Sequence, residues 1–201
     1  MAYSDRYQEH RVDVPEGVCG NWRVERFEVT PEAAQPEMLR AAFHGGRGVP
    51  AGHYTRLMRG DTVVMSDTPD EVRDHLYPIR LAKGNCLING LGLGVVVAGI
   101  LAKPAVKHVT VVEISPEVVF LVGTYYLEKY PNRLTIVLAN ALEYKPARGQ
   151  RFNVVWHDIW DALCSDNLPE MHKLHRRYGR IADWQGSWGR DWCEEYAKRG
   201  C

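Results

Sequence analysis

The sequence predicts an α/β protein built on a parallel sheet, preceded by a small segment of antiparallel strands. Three observations carry this. Residues 86–113, CLINGLGLGVVVAGILAKPAVKHVTVVE, run from an apolar strand through a glycine turn and a helix into a second strand ending on an acid. The same strand–helix alternation continues to His157, and such alternation marks a parallel sheet. Ahead of it, Trp22–Val29 alternates apolar and charged side chains, the period of a half-exposed strand.

A chain of 201 residues suggests one domain, or one domain with a small appendage. The expected division is residues 1–82, holding an arm, a β-hairpin and a lead-in helix, and residues 83–201, holding the α/β unit and a tryptophan-rich tail. At 45% apolar and 25% charged residues, the composition is that of a globular protein with a sizeable core. Twenty-five basic residues balance 25 acidic ones, which gives no general attraction to nucleic acid or to a membrane surface. The five cysteines form neither a CxxC pair nor a disulfide framework. With no leader-like start and no apolar run of spanning length, the expectation is a cytoplasmic protein with reduced thiols.

Taken in order, residues 1–21 are polar and broken by Pro15, Gly17 and Gly20, an irregular arm. After the Trp22–Val29 strand, residues 31–43 suit a short helix with Thr30 as N-cap and Pro31 at the first position. Residues 44–52 form a glycine-rich loop. Residues 54–58 and 62–65 flank Arg59-Gly60-Asp61 as a hairpin. Thr68, followed by Glu71, looks like a capping box opening a helix towards Leu81. Then come a strand at 86–89, a helix at 94–101, and a strand at 108–114 whose apolar run suggests burial on both faces. A helix at 116–130 follows, N-capped by Ser115. Strands at Leu134–Leu138 and Phe152–His157 complete the alternation. A helix at 166–178, a strand or loop at 181–184, and a helix from about Gly189 fill the rest. A full seven-stranded sheet is not expected within this length.

The glycine turn is the feature most informative about function. Glycines between a buried strand and a helix let the backbone approach a ligand that the helix N-terminus then faces. The dinucleotide pattern G-x-G-x-x-G requires a third glycine where Val95 or Val97 stands, so NAD and FAD are disfavoured. The pattern present is Gly90-x-Gly92-x-Gly94.

This turn, Ile88-Asn89-Gly90-Leu91-Gly92-Leu93-Gly94, resembles the first motif of class I S-adenosylmethionine-dependent transferases. The resemblance implies a Rossmann-like sheet, here shortened at its C-terminal end, with S-adenosyl-L-methionine as cofactor. Asn89, Gly90, Leu91, Gly92 and Gly94 would shape its binding turn. Glu113, ending the second strand beside Ile114, matches the acid that accepts both ribose hydroxyls. Asn140 and Ala141, after the third strand, match the loop at the adenine edge. Asn140 read alone suits a turn at a strand end equally well.

A narrower resemblance covers roughly residues 54–162 and points to the spermidine synthase family. It rests on Met65-Ser66-Asp67-Thr68-Pro69-Asp70-Glu71, on His75-Leu76-Tyr77-Pro78-Ile79, on residues 106–114, and on Asp158-Ile159-Trp160-Asp161. In that family the first acid of D-x-x-D helps activate an amine and the second holds the polyamine, which makes Asp158 and Asp161 the catalytic candidates. Acids at the carboxyl end of a parallel strand face the ligand crevice. Two departures shift the preferred acceptor. Ala162 stands where that family has proline, and Leu93 where many members have an acid. The preferred reading is therefore a methyltransferase acting on a small molecule. The alternatives are aminopropyl transfer from decarboxylated S-adenosylmethionine, cofactor cleavage, or a non-catalytic S-adenosyl-binding module.

Glu170, His172 and His175 share one helix but lack a further ligand, so no metal site is expected. The basic run 175–180 suits a surface helix end and is thin support for a nucleic-acid contact. Trp184, Trp188 and Trp192 are expected in the core or at the interface of a homo-oligomer.

Overall fold

The computed structural model describes residues 7–44 and 48–199, with the side chains of Ala42 and His44 left aside. Two sheets form. The first is antiparallel, in order β1 (Gly17–Cys19), β2 (Trp22–Val29), β3 (Gly52–Arg59), β4 (Thr62–Ser66). The arm predicted as irregular thus contributes an edge strand, because Gly17–Cys19 pairs with the first residues of β2 through a tight turn at Gly20. The arm is also pinned from below. Buried Asp67 accepts the backbone N–H of Val12 at 3.2 Å and that of Thr55 at 2.7 Å. Helix α1 (Pro31–His44) is opened as expected by Thr30, whose hydroxyl accepts from Ala33 at 3.3 Å. Part of the predicted glycine loop, residues 45–47, lies outside the described residues.

Helix α2 (Pro69–Leu81) follows, but without the predicted capping box. Thr68 makes no side-chain cap and instead meets the Ser66 hydroxyl at 3.0 Å. Glu71 is left to face a pocket, described below.

The second sheet is parallel, in spatial order β7, β6, β5, β8, β9. Its strands are β5 (Gly84–Asn89), β6 (Val106–Glu113), β7 (Leu134–Leu138), β8 (Phe152–His157) and β9 (Ala182–Ser187). Counted along the chain from β5, the order is third, second, first, fourth, fifth. This is the Rossmann-like doubly wound arrangement, with its reversal between the first and fourth strands. The uncertain segment at 181–184 is therefore a full strand, held parallel to β8 from Phe152–Ala182 to His157–Ser187.

Between the strands run α3 (Val95–Leu101), α6 (Leu168–Tyr178) and, after β9, α7 (Arg190–Arg199). The helix predicted at 116–130 is not uniform. It comprises α4 (Pro116–Val118), a π-helical stretch Val119–Gly123, and α5 (Thr124–Lys129). Ser115 caps it, its hydroxyl accepting from Val118 at 3.2 Å. The wider turn falls where Gly123 packs against Ile136. The helix predicted from 166 starts with a 3₁₀ turn at Ser165–Asn167.

One apolar cluster joins both sheets, from Val14, Val24 and Leu57 to Ile88, Val97, Val111 and Trp156. A second lies on the other face of the parallel sheet, around Leu87, Phe152, Leu174 and Tyr178. The central strands β5, β6 and β8 are covered on both faces, which explains their continuous apolar runs. Cys86 is 1% exposed in β5, and burial pushes its thiol up to about 11, so it is a core residue. Among the described residues, no helix is long and apolar enough to cross a membrane.

Candidate active site

At the carboxyl ends of β5, β6 and β8 the backbones are tied together. Gly90 N–H donates to the Val112 carbonyl and Asp158 N–H to the Asn89 carbonyl, both at 2.8 Å. The chain must then turn sharply. Gly90, Gly92 and Gly94 have φ of +94°, +51° and +82°, a region that disfavours any side chain. A Cβ on Gly90 would lie 1.8 Å from the carbonyl oxygen of Asp158. Gly90→Ala is therefore expected to cost about 3 kcal/mol in urea unfolding, combining backbone strain with an immovable backbone clash. A loss under about 1 kcal/mol would contradict this geometry.

Glu113 fastens the turn from the neighbouring strand. Its Oε2 accepts from Leu91 N–H, and its Oε1 accepts from Ile114 N–H and Ser115 N–H, all at 2.8 Å. A carboxylate has about four lone-pair sites, and three are committed to backbone. The remaining acceptor capacity faces a pocket of about 350 Å³.

Most of the candidate residues meet on the wall of that pocket. Gly90, Gly92, Glu113, Ile114, Asn140, Ala141, Asp158 and Asp161 all line it. Asn89, Leu91 and Gly94 lie behind the wall. Asn89 is fully buried with its Nδ2 on His157 Nδ1 at 2.7 Å, Leu91 is 4% exposed, and Gly94 packs on Tyr126. Asn140 turns its own loop, its Oδ1 accepting from Leu142 N–H at 2.9 Å.

Asp158 follows β8 and stands where the acids gather. Burial, and next the charges of Glu71, Asp74 and Glu113, push its carboxyl up to about 8. His75 Nε2 lies 3.7 Å from its Oδ2, and burial holds that imidazole down at about 4. Low polarity disfavours the charged form of each, which keeps a proton on the carboxyl and off the imidazole. At neutral pH both groups are uncharged. Above about pH 8 the carboxylate forms and can accept a proton.

Asp161 is ion-paired with Arg59 of β3, whose guanidinium sits 5.4 Å from the Trp22 ring centroid. This pair closes the rim between the two sheets. Pocket residues from the first sheet and from α2, among them Trp22, Arg59, Met65, Glu71 and His75, were missed by sequence reasoning as site residues. The segments 65–71 and 75–79 carried the spermidine synthase resemblance as the approach to a cofactor site, and Glu71 and His75 have the i, i+4 spacing of one helix face. Neither signal singled out these side chains. Five carboxyl groups line the pocket (Glu71, Glu113, Asp158, Asp161, Glu170) against the single guanidinium of Arg59. That excess favours a cationic ligand.

Two expectations from the tail are revised. Arg177 is not a solvated helix end. Its guanidinium donates to the carbonyls of Ala141, Leu142 and Tyr144 at 2.6–2.9 Å, clamping the Asn140 loop from behind. His175 does not share a solvated face with His172, since it is half-buried and bonded to Ser187 and Arg190. Among the described residues, no cluster of potential metal ligands occurs.

No protein-family profile matches the chain, and no curated protein resembles it significantly. Solved structures do. The spermidine synthase from Thermotoga maritima aligns at 19% identity and TM-score 0.45, over 80% of this chain and 52% of its own. The CcbJ methyltransferase from Streptomyces caelestis aligns at 24% and 0.44, over 55% and 44%. The N-methyltransferase NodS from Bradyrhizobium japonicum aligns at 15% and 0.44, over 57% and 63%. The chain spans about half the length of the first two. The fold assignment rests on the chain's own sheet order and strand connections.

Proposed function

We propose that the protein is an S-adenosylmethionine-dependent methyltransferase whose acceptor is an amine. The observation that carries this is the joining of three features in one pocket: the Gly90–Gly94 turn, the Glu113 carboxylate beside it, and the carboxyl group of Asp158 at the acid-lined end. The residues fit the cofactor by their chemistry. Glu113 retains acceptor capacity for a ribose hydroxyl. Ile114 and Val118 offer an apolar surface to a flat base, near Asn140 and Ala141. Glu71 lines the same pocket, where a positively charged sulfur would gain from negative charge.

S-adenosylmethionine, held by the Gly90–Gly94 turn, Glu113 and the Asn140 loop, would supply an electrophilic methyl carbon to the acceptor nitrogen, with S-adenosylhomocysteine as the leaving product. The chain's own part is alignment and proton removal. The turn and the Asn140 loop fix the donor, and the Asp158 carboxylate takes the proton that the nitrogen must lose. The Arg59–Asp161 pair restricts water at the rim.

A second reading, aminopropyl transfer from decarboxylated S-adenosylmethionine, draws support from the number of carboxyl groups at the Asp158 end, which would suit a dication. Calorimetric titration with S-adenosylmethionine and S-adenosylhomocysteine is expected to give saturable one-site binding; absence of both isotherms would sink the methyl-transfer reading, and absence of binding by decarboxylated S-adenosylmethionine and methylthioadenosine would sink the other. Product analysis then separates them, since methylthioadenosine forms only in aminopropyl transfer and S-adenosylhomocysteine only in methyl transfer.

A further inference from the structure

Beside the pocket lies a larger cleft of about 580 Å³. Its walls are aromatic: Tyr77 of α2, Trp156 of β8, Trp184 of β9, then Trp188 and Trp192 beyond that strand. The Trp156 and Trp184 rings are nearly parallel, at 10° with centroids 6.3 Å apart, and Tyr77 meets Trp184 edge-on at 5.5 Å. Trp192 is 45% exposed.

The cleft is also acidic, through Asp74, Asp191 and Glu194. Arg190, the one permanent cation among its described lining residues, is held by Glu194 at 2.8 Å and donates to His175 Nδ1 at 2.9 Å. His175 stays neutral beside it.

We infer that this cleft binds an arylalkylamine and serves as the acceptor subsite of the neighbouring pocket. Indole faces combined with carboxylates recognise an organic ammonium ion, and an aromatic ring on the same molecule stacks on the indoles. The two cavities share a wall, because Trp188 lines both and its indole N–H donates to Asp74 Oδ2 at 3.1 Å. An amine reaching past this Trp188–Asp74 partition meets Asp158 on the far side. The acceptor role rests on the transfer reading above, whereas occupancy of the cleft does not.

The test is calorimetry on the full chain with tyramine, phenethylamine and p-cresol, using the wild type, Trp192→Ala and Asp191→Asn. Both substituted residues are exposed and lie outside the cofactor pocket, so S-adenosylhomocysteine should bind all three proteins equally. Tyramine is expected to bind the wild type, and about tenfold more weakly to Trp192→Ala and to Asp191→Asn. Phenethylamine, which keeps ring and cation, should bind as well, and p-cresol, lacking the cation, about tenfold more weakly than tyramine. No saturable tyramine binding, or equal binding by wild type and Trp192→Ala, overturns the inference. If tyramine behaves as expected while S-adenosylhomocysteine fails to bind, the amine site is supported and its acceptor role falls.

Discussion

Asp158→Asn is expected to stabilise the protein at pH 9 while removing most of its transfer activity. The carboxyl's folded value, about 8, lies far above its ordinary 3.8. Between these values the folded state binds more protons than the unfolded chain, so this group's contribution to stability falls as pH rises through the window. Above pH 8 the folded protein carries a buried charge that asparagine lacks. Allowing for a side chain that is 19% exposed, the gain should be on the order of 3 kcal/mol at pH 9 and vanish near pH 4. His75 acts oppositely. Its lowered value means that it adds stability as pH rises from about 4 to its ordinary 6.5, so wild type and variant must be compared at matched pH. Activity should drop by about 10²–10⁴, the range for a lost general base. The kcat/KM profile should lose its limb near pH 8 and keep the one set by the amine. Urea unfolding at pH 5 and pH 9, with rates from the same preparations, tests both halves. A variant that is less stable at pH 9 and fully active would refute the role of Asp158.

The next largest effect is expected at Glu113. Its carboxylate serves three backbone N–H groups, and glutamine can satisfy those on one oxygen only. The other position then presents an NH₂ to a donor. Glu113→Gln should therefore lose about 1–2 kcal/mol in unfolding, and Glu113→Ala about 3 kcal/mol, since three backbone donors, two of them buried, are orphaned. In the folded Gln variant, S-adenosylhomocysteine affinity should fall at least ~30-fold, about 2 kcal/mol. Full-affinity binding by that variant would show that Glu113 shapes the turn without touching the ligand.

Local pattern and tertiary packing divide the work in this chain. The alternation from Cys86 to His157 was legible because buried parallel strands need continuous apolar runs and their crossover helices carry the turn residues between them. The Gly90–Gly94 turn was legible because only glycine tolerates that backbone. Ser115 and Thr30 announced their helices through local capping chemistry. The pairing of Gly17–Cys19 with β2 was not legible, since three residues, Gly-Val-Cys, at an edge are too short to carry a period. Nor was the break in the 116–130 helix, which follows packing rather than propensity.

By itself, then, the sequence determined the α/β class, the order of strands and helices, and the glycine turn with its acid on the next strand. These are set within a few residues of one another, by periodicity, by backbone freedom and by caps. Only the tertiary structure decided what stands around the turn. It brought Arg59 of the first sheet onto Asp161, set Glu71 and His75 of α2 against Asp158, and folded Arg177 under the Asn140 loop. It also spread the tail's tryptophans around a second cavity. These contacts join residues tens of positions apart, and their energetics depend on burial, which no local pattern encodes. Burial is also what turns Asp158 from an ordinary acid into one that holds its proton at neutral pH.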